Sequence, residues 1–415
     1  MSILLKTTAK QLPKNWRFIP LGDILTEVIN RYEDLKKADE LPVLSLTKNH
    51  GLILQSDRFN KRVATEDVSR YKVVNHGEIV YNPYVIWEGA VHSLKKYKQG
   101  LVSPVYVVWK CDDDQADKYI VDVLLRTPLV IEQYNLFSAG AVNRRRAIKK
   151  EDFLKIKIPL PPLSEQQDIT QVLKTLQNSI EQQTRLISLT HELKSKLLLN
   201  LFTTGLCGEK QKKTEIGMMP VSWAVAKLAT IVEDTKQINL RTDGNRSIKY
   251  IDVSSISREH LSVEQTTEYL LKYAPGRARK KVMTGDVIFA TVRPTLLRVA
   301  HIGKELNEQV CSTAFCVLRA KHNISDKYIY YVVQREQYIK QLAAIESGAS
   351  YPAVTDRQVK SQKVPVPGYE EQLMIANILD SCDIKVFHLA RKKEKLEELF
   401  RALLHQLMTG QIRIK

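Results

Sequence analysis

Two stretches decide how this chain folds: IPLPPLSEQQDI at residues 158–169 and VPVPGYEEQLMI at residues 364–375. Each starts apolar–Pro–apolar–Pro, passes an acidic residue and a Gln, and opens a long helical pattern. A junction of this kind written twice, about half the chain apart, points to a duplication, and internal repeats decide architecture.

Working outward, further landmarks return in the same order. LPKNW (12–16) returns as MPVSW (219–223), GEIVY (77–81) as GDVIF (285–289), and SAGAV (138–142) as SGASY (347–351). Together with the junctions, their offsets run from about 206 to 209 residues. Matched landmarks in register identify a tandem duplication, each half a mixed domain followed by a long helix. At 415 residues the chain suits two or three compact units, and 44% hydrophobic residues suffice for real cores.

Within each half, short runs rich in Val, Ile and Tyr read as strands: LPVLSL (41–46), LVSPVYVVWK (101–110), KYIDVSSI (249–256) and DVIFATV (286–292). They alternate with helical stretches at 117–135 and 326–345. The fold class is therefore α+β, a duplicated mixed α/β domain. The expected boundaries are a first domain at 1–160, a first long helix at 161–205, a second domain at 206–366 and a second long helix at 367–415.

The helices carry their own signals. Ser164 is the expected N-cap of the first, with Gln167 as its capping-box partner, and glycine ends each helix in TTG (203–205) and TG (409–410). The second helix places Ile375, Leu379, Cys382, Val386, Leu389, Lys393, Leu396, Phe400, Leu403 and Leu407 at alternating steps of four and three, a heptad seam. The first copy is more polar in its middle, and Leu186, Leu189 and Leu193 offer a neighbouring stripe, so a broader or drifting face is expected there. Such stripes need a partner, and the expected one is the other copy, giving an antiparallel coiled coil roughly 55–60 Å long at about 1.5 Å per residue. The competing arrangement lays each helix on its own domain.

Charge separates the parts. The net charge is +17, which favours a polyanionic partner. The first helix is nearly neutral, because Lys174, Arg185, Lys194 and Lys196 offset Glu165, Asp168, Glu181 and Glu192. The excess lies in the domains, clumped at 144–146, Lys149–Lys150, 277–281, Arg293 and Arg298. The five cysteines form no C-x-x-C pair, no run reaches a membrane-spanning length, and the first residues do not read as a secretory signal. A cytoplasmic protein without a membrane role is expected.

Enzyme motifs do not accumulate. YNPY (81–84) resembles the N-P-P-aromatic motif of amino-methyltransferases but has one Pro, its counterpart reads FATVRP (289–294), and no Gly-rich loop offers a cofactor site; it reads as a turn. No G-x-x-x-x-G-K-[ST] loop is present. His50, His76 and His92 lack metal-ligand spacing, DDD (112–114) reads as a hairpin loop, and Cys311 and Cys316 read as core. No metal site, cofactor site or catalytic residue is expected on this chain.

These residues together resemble the specificity subunit of a type I restriction–modification system. The resemblance covers nearly the whole chain and rests on the duplication, the LPKNW/MPVSW starts, the GEIVY/GDVIF strands, the two junctions and the helices ending in TTG and MTG. It implies a non-catalytic subunit whose two target-recognition domains each read half of a bipartite, asymmetric sequence in double-stranded DNA, with the helices fixing the spacer. It implies two modification subunits as partners, which bind S-adenosylmethionine and methylate adenine, and restriction subunits that hydrolyse ATP. Residues expected at the DNA are loop polars after the matched strands: Lys48, Asn49, Asn82, Tyr84, Arg144, Arg145 and Arg146 in the first half, and Ser257, Arg258, Arg293, Thr295, Arg298 and Tyr351 in the second. The rival reading is a scaffold whose duplicated domains bind protein or RNA.

Overall fold

A computed structural model describes residues 12–34, 41–58, 67–138, 147–235, 237–238, 245–348 and 351–414. The chain divides into two compact units. One comprises the chain up to Glu181 together with Glu394 onward; the other is Gln182–Lys393. Each unit thus holds one globular domain, the N-terminal part of the helix that follows it and the C-terminal part of the other helix.

The duplication holds strand by strand. In the first unit a four-stranded antiparallel sheet has the order Leu25–Glu27, Val107–Cys111, Ile79–Tyr81, Val91–Ser93. In the second the order is Val232–Glu233, Phe315–Ala320, Val287–Ala290, Val299–His301, each strand about 208 residues on. GEIVY and GDVIF supply the same strand of this sheet, and each begins after a glycine at φ 87° (Gly77, Gly285), a left-handed turn that favours glycine. Glu78 and Asp286 repeat as well: each carboxylate accepts the amide three residues before it, from Asn75 and Met283.

The prolyl junctions are strands before they are helix starts. Lys157–Leu160 pairs antiparallel with Arg17–Pro20, and Lys363–Val366 with Ala224–Lys227. The beginning and end of each domain are so closed against each other. A second sheet differs between copies only in extent. In the second unit its four strands include a parallel pair, Ser247–Ile251 with Val310–Ser312. In the first the equivalent parallel contact is a lone bridge, Val43 to Leu101.

DDD differs from expectation. Val107–Cys111 runs on through Asp112–Gln115 into a helix at Lys118–Leu124, so the turn joins strand to helix rather than two strands. Asp112 organises it, accepting from the Asp114 amide at 3.0 Å and the Gln115 side chain at 2.9 Å. LVSPVYVVWK likewise divides into two strands around a turn at 103–106.

The long helices span Leu163–Thr204 and Tyr369–Met408. The first starts one residue before Ser164, so that serine lies inside the first turn instead of capping it. The glycine stops are as expected: Gly205 and Gly410 adopt φ 68° and 69°. The heptad seam runs through both helices. Ile375, Leu379, Cys382, Val386 and Leu389 are buried, and so are Ile169, Leu173, Ile180, Gln183 and Leu201. The drifting face does not occur, because Leu186, Leu189 and Leu193 are 43–52% exposed. The polar seam residues Thr190 and Lys194 keep their register; Lys194 is held by Asp383 at 2.7 Å.

In the first unit, Ile169 and Leu173 share one core with Phe400, Leu403, Leu404, Leu407 and Met408. In the second, Leu197, Leu198, Leu201 and Phe202 share a core with Ile375, Ala376 and Leu379. Beginning meets end in both, so the pairing is antiparallel. These cores also contain the domain residues Trp16, Phe153, Trp223 and Tyr328. The paired arrangement and the helix-on-domain arrangement are therefore both present in the same cores: the start of each helix packs on its own domain and against the end of the other helix.

Candidate nucleic-acid interface

The repeated landmarks turn out to be one socket built twice. Trp16 of LPKNW is buried and donates through Nε1 to Glu165 of SEQQ at 3.2 Å. Trp223 of MPVSW is buried and donates to Glu371 of YEEQ at 2.9 Å. The next residue repeats too. Gln166 accepts from the Asp117 amide at 2.8 Å and donates to the Pro161 carbonyl at 2.9 Å. Gln372 accepts from the Ser325 amide at 3.0 Å and donates to the Pro367 carbonyl at 3.0 Å. Both domains are fastened to the start of their helix by these buried polar contacts, and buried polar groups are costly to leave unpaired. Sequence reasoning used these residues as landmarks and missed that they touch.

In the first unit the candidate residues lie on turns beyond the sheet. Lys48 and Asn49 are exposed in the turn between Leu44–Thr47 and Gly51–Leu54. Thr47 ties that turn together through Gly51 O and His50 N. His92 holds it from the neighbouring strand, with Nε2 2.9 Å from the Lys48 carbonyl. Burial and the Arg126 charge lower the His92 pKa to about 4, against the pull of that carbonyl. Arg126 itself is engaged bidentately by Asp122, whose fully buried carboxylate also accepts from Lys95. Burial opposes ionisation of Asp122, and the Arg126 and Lys95 charges overcome it and hold its pKa low.

YNPY is a turn, as expected. The Asn82 side chain accepts from the Tyr84 amide at 3.1 Å, an Asx-turn, and Tyr84 points outward at 49% exposure. Arg144, Arg145 and Arg146 lie outside the described residues.

In the second unit hydrogen bonds bring the candidate loops into succession. The Thr291 amide donates to Ala314 O, the Val354 amide to Thr291 O, and the Arg293 amide to Pro352 O. Arg293 adopts φ 50°, and its guanidinium lies 4.9 Å from the centre of the Tyr351 ring. Tyr351 is 70% exposed, Thr295 is exposed two residues after Arg293, and Ser257 and Arg258 occupy the turn after Val253–Ser255. The Ser257 side chain accepts from the His260 amide.

Arg298 is placed differently from the rest. Its Nη1 donates to the carbonyls of Val253 at 2.6 Å and Ile256 at 3.2 Å, so it braces the Ser257–Arg258 turn from beneath. The run 277–281 is split in the same way. Lys280 is buried against the Phe315 carbonyl and Asp356, and Lys281 pairs with Glu308, while Arg277 stays exposed. Arg277 belongs with the candidate loops, because its carbonyl accepts from the Thr313 amide next to Ala314. Tyr273, 70% exposed under Lys272, was also missed, although an aromatic four residues before a basic run is a legible signal.

Among the described residues no group of three or more His, Cys, Asp or Glu side chains is arranged to hold a metal, and no helix is long and apolar enough to cross a membrane. Burial raises the Cys316 thiol to about 12, which disfavours its thiolate form.

A duplicated α+β domain, each copy socketed onto a paired long helix, defines a class of tandem-repeat protein with two like domains in one chain. The sequence model described as "Type I restriction modification DNA specificity domain" matches residues 130–191 and 220–398, more than half of the chain. The chain belongs to that family. It is 24% identical over 420 residues to the type I restriction enzyme MjaVIII specificity subunit of Methanocaldococcus jannaschii, covering 98% of this chain and 95% of that one. A putative MjaX specificity subunit of the same organism is also 24% identical, over 435 residues, 99% of this chain and 96% of that one. The fold matches a type I restriction–modification S subunit from M. genitalium with a TM-score of 0.58 at 14% identity, covering 95% of this chain and 96% of that one. A chain solved in work on assembly and conformational transition of the type I R-M system matches with a TM-score of 0.53 at 17% identity, covering 97% and 99%.

Proposed function

We propose that this chain is the DNA-reading specificity subunit of a type I restriction–modification complex. Its recognition domains, at residues 1–160 and 206–366, each read one half of a bipartite, asymmetric duplex site. The long helices set the spacer between the half-sites. The subunit performs no catalysis. It recruits two modification subunits, which carry S-adenosylmethionine, and restriction subunits, which hydrolyse ATP. It works in the cytoplasm.

The observation that carries this reading is the doubled socket. Trp16–Glu165–Gln166 and Trp223–Glu371–Gln372 attach two differently surfaced domains to equivalent helix positions. A single chain then offers two equivalent attachment frames to two identical partners, with one sequence reader on each. The DNA-facing residues are assigned to Lys48, Asn49, Asn82, Tyr84, Arg144, Arg145 and Arg146, and to Ser257, Arg258, Arg293, Thr295 and Tyr351, with Arg277 and Tyr273 added. Arg298 acts one layer back, as a brace. Arginine clusters supply phosphate contacts that position the duplex, and loop side chains supply base contacts.

The test is single-molecule sequencing of modified adenines in DNA from cells carrying this chain with its modification subunit. A split motif with a constant gap supports the reading. Methylation without a split motif, or none with partners present, overturns it.

A further inference from the structure

The sockets align the two copies residue for residue: Asp117 matches Ser325, and Gln166 matches Gln372. Beside these common contacts, the surface where each domain meets its helix is written differently. In the first copy, Tyr119 of the domain lies between two cations. Lys174 of the helix is 5.2 Å from its ring centre and Lys95 is 5.4 Å away. In the second, the matching positions are Lys327 and Asp380, and they form an ion pair at 2.5 Å. Aromatic–cation has become cation–carboxylate, and the charge on the helix has reversed.

Neighbouring positions change together as well. Asp117 accepts from Thr170 of the first helix at 2.9 Å, where the second copy has Ser325 and Ala376. Tyr331 donates to Asp383 of the second helix at 2.8 Å, where the first copy has Val123 and Gln177. Asp383 also holds Lys194, which lies 5.2 Å from the Tyr331 ring centre. Exchange of the domains alone would put Lys327 against Lys174, Tyr119 against Asp380 and Val123 against Asp383. Like charges brought together destabilise, and a carboxylate left without its partner loses its compensation.

We propose that each domain is keyed to the helix that follows it through Tyr119–Lys174 and Asp117–Thr170 in the first copy, and Lys327–Asp380 and Tyr331–Asp383 in the second. The exchangeable module is then the domain plus the first four turns of its helix, through Gln177 or Asp383, and not the domain alone. These side chains are positioning residues: they fix how a domain sits, not which bases it reads. The keying is an internal property of the chain; only its consequence for DNA rests on the function proposed above.

The test uses the full chain and its thermal melting. Tyr119→Lys alone should lower the melting temperature by roughly 2–4 °C, and adding Lys174→Asp should recover at least half of the loss. Asp380→Lys should fall likewise, and adding Lys327→Tyr should recover it. Failure of recovery at either site overturns the proposal. A second arm replaces residues 15–161 with a copy of 222–367. In that chain Lys174→Asp should raise the melting temperature, whereas in the parent it should lower it; equal signs overturn the module boundary. The paired point variants decide the matter if the exchanged chain does not fold. Melting needs no DNA, so these outcomes stand apart from the fate of the functional reading. Sequencing of modified adenines should return the parent half-sites for both double variants.

Discussion

The tryptophan sockets are built alike but braced unequally. Glu165 receives Trp16 and also the Arg413 guanidinium, at 3.0 and 2.8 Å. Glu371 receives Trp223, and its second oxygen is buried without a partner among the described residues. Counted from the glycine stops Gly205 and Gly410, the position of Arg413 falls at Gly208, which offers no charge. Trp223→Phe keeps the ring and removes the donor, leaving a carboxylate with no hydrogen bond, so it should cost about 3 kcal/mol. Trp16→Phe should cost about 1 kcal/mol, because Arg413 remains. Urea unfolding of the two variants checks the order. His92 makes a second prediction. Its pKa is about 4 in the folded chain, below the ordinary 6.5, so the neutral form is the stable one. Its contribution is complete above about pH 6.5 and is lost as pH falls toward 4. Melting of the parent should decline across that window, and His92→Gln should flatten the decline. A parent curve with no slope there would rule this out.

The two helices show how a seam tolerates polar residues. Gln183, Thr190 and Lys194 occupy seam positions, with Leu186, Leu189 and Leu193 lying between them in sequence. Leu186, Leu189 and Leu193 nevertheless remain exposed, since following them would break the register shared with Ile169, Leu173 and Leu201. The heptad at both ends outweighs the local composition in the middle. If the helices set the spacer, four residues inserted near Leu186, roughly one turn, should change the gap in the methylated motif and leave both half-sites as they are. Altered half-sites with a constant gap would defeat that idea. The helix starts were legible to within two residues, because proline and glycine act locally. That Ser164 is not the cap was not legible: the helix begins where Leu160 leaves its strand partner Arg17, a pairing made across 143 residues.

Over the whole molecule, net charge of +17 predicts binding governed by counterion release. Each phosphate contact contributes about 0.9 to the slope of log K against log salt. Replacing Arg144, Arg145 and Arg146 by Ala should therefore flatten the slope by up to about 3 if all three meet phosphate, with duplex binding measured by mobility shift in a salt series. An unchanged slope would remove those three arginines from the interface. Arg298→Ala should behave differently. It should lower stability and disturb the half-site read by the second domain, with little change in slope, because its donors go to Val253 and Ile256.

What the chain's order of residues determined by itself was the duplication, the α+β class, the antiparallel helices and their glycine ends. These follow from periodicity and from residues whose backbone preferences act within a few positions. The tertiary structure alone decided that Trp16 meets Glu165, that Lys280 is buried while Arg277 is not, and that Arg298 faces carbonyls. Each of those outcomes depends on partners 15 or more residues away brought together by packing, and a basic residue carries no mark in sequence of whether a carbonyl, a carboxylate or solvent will face it.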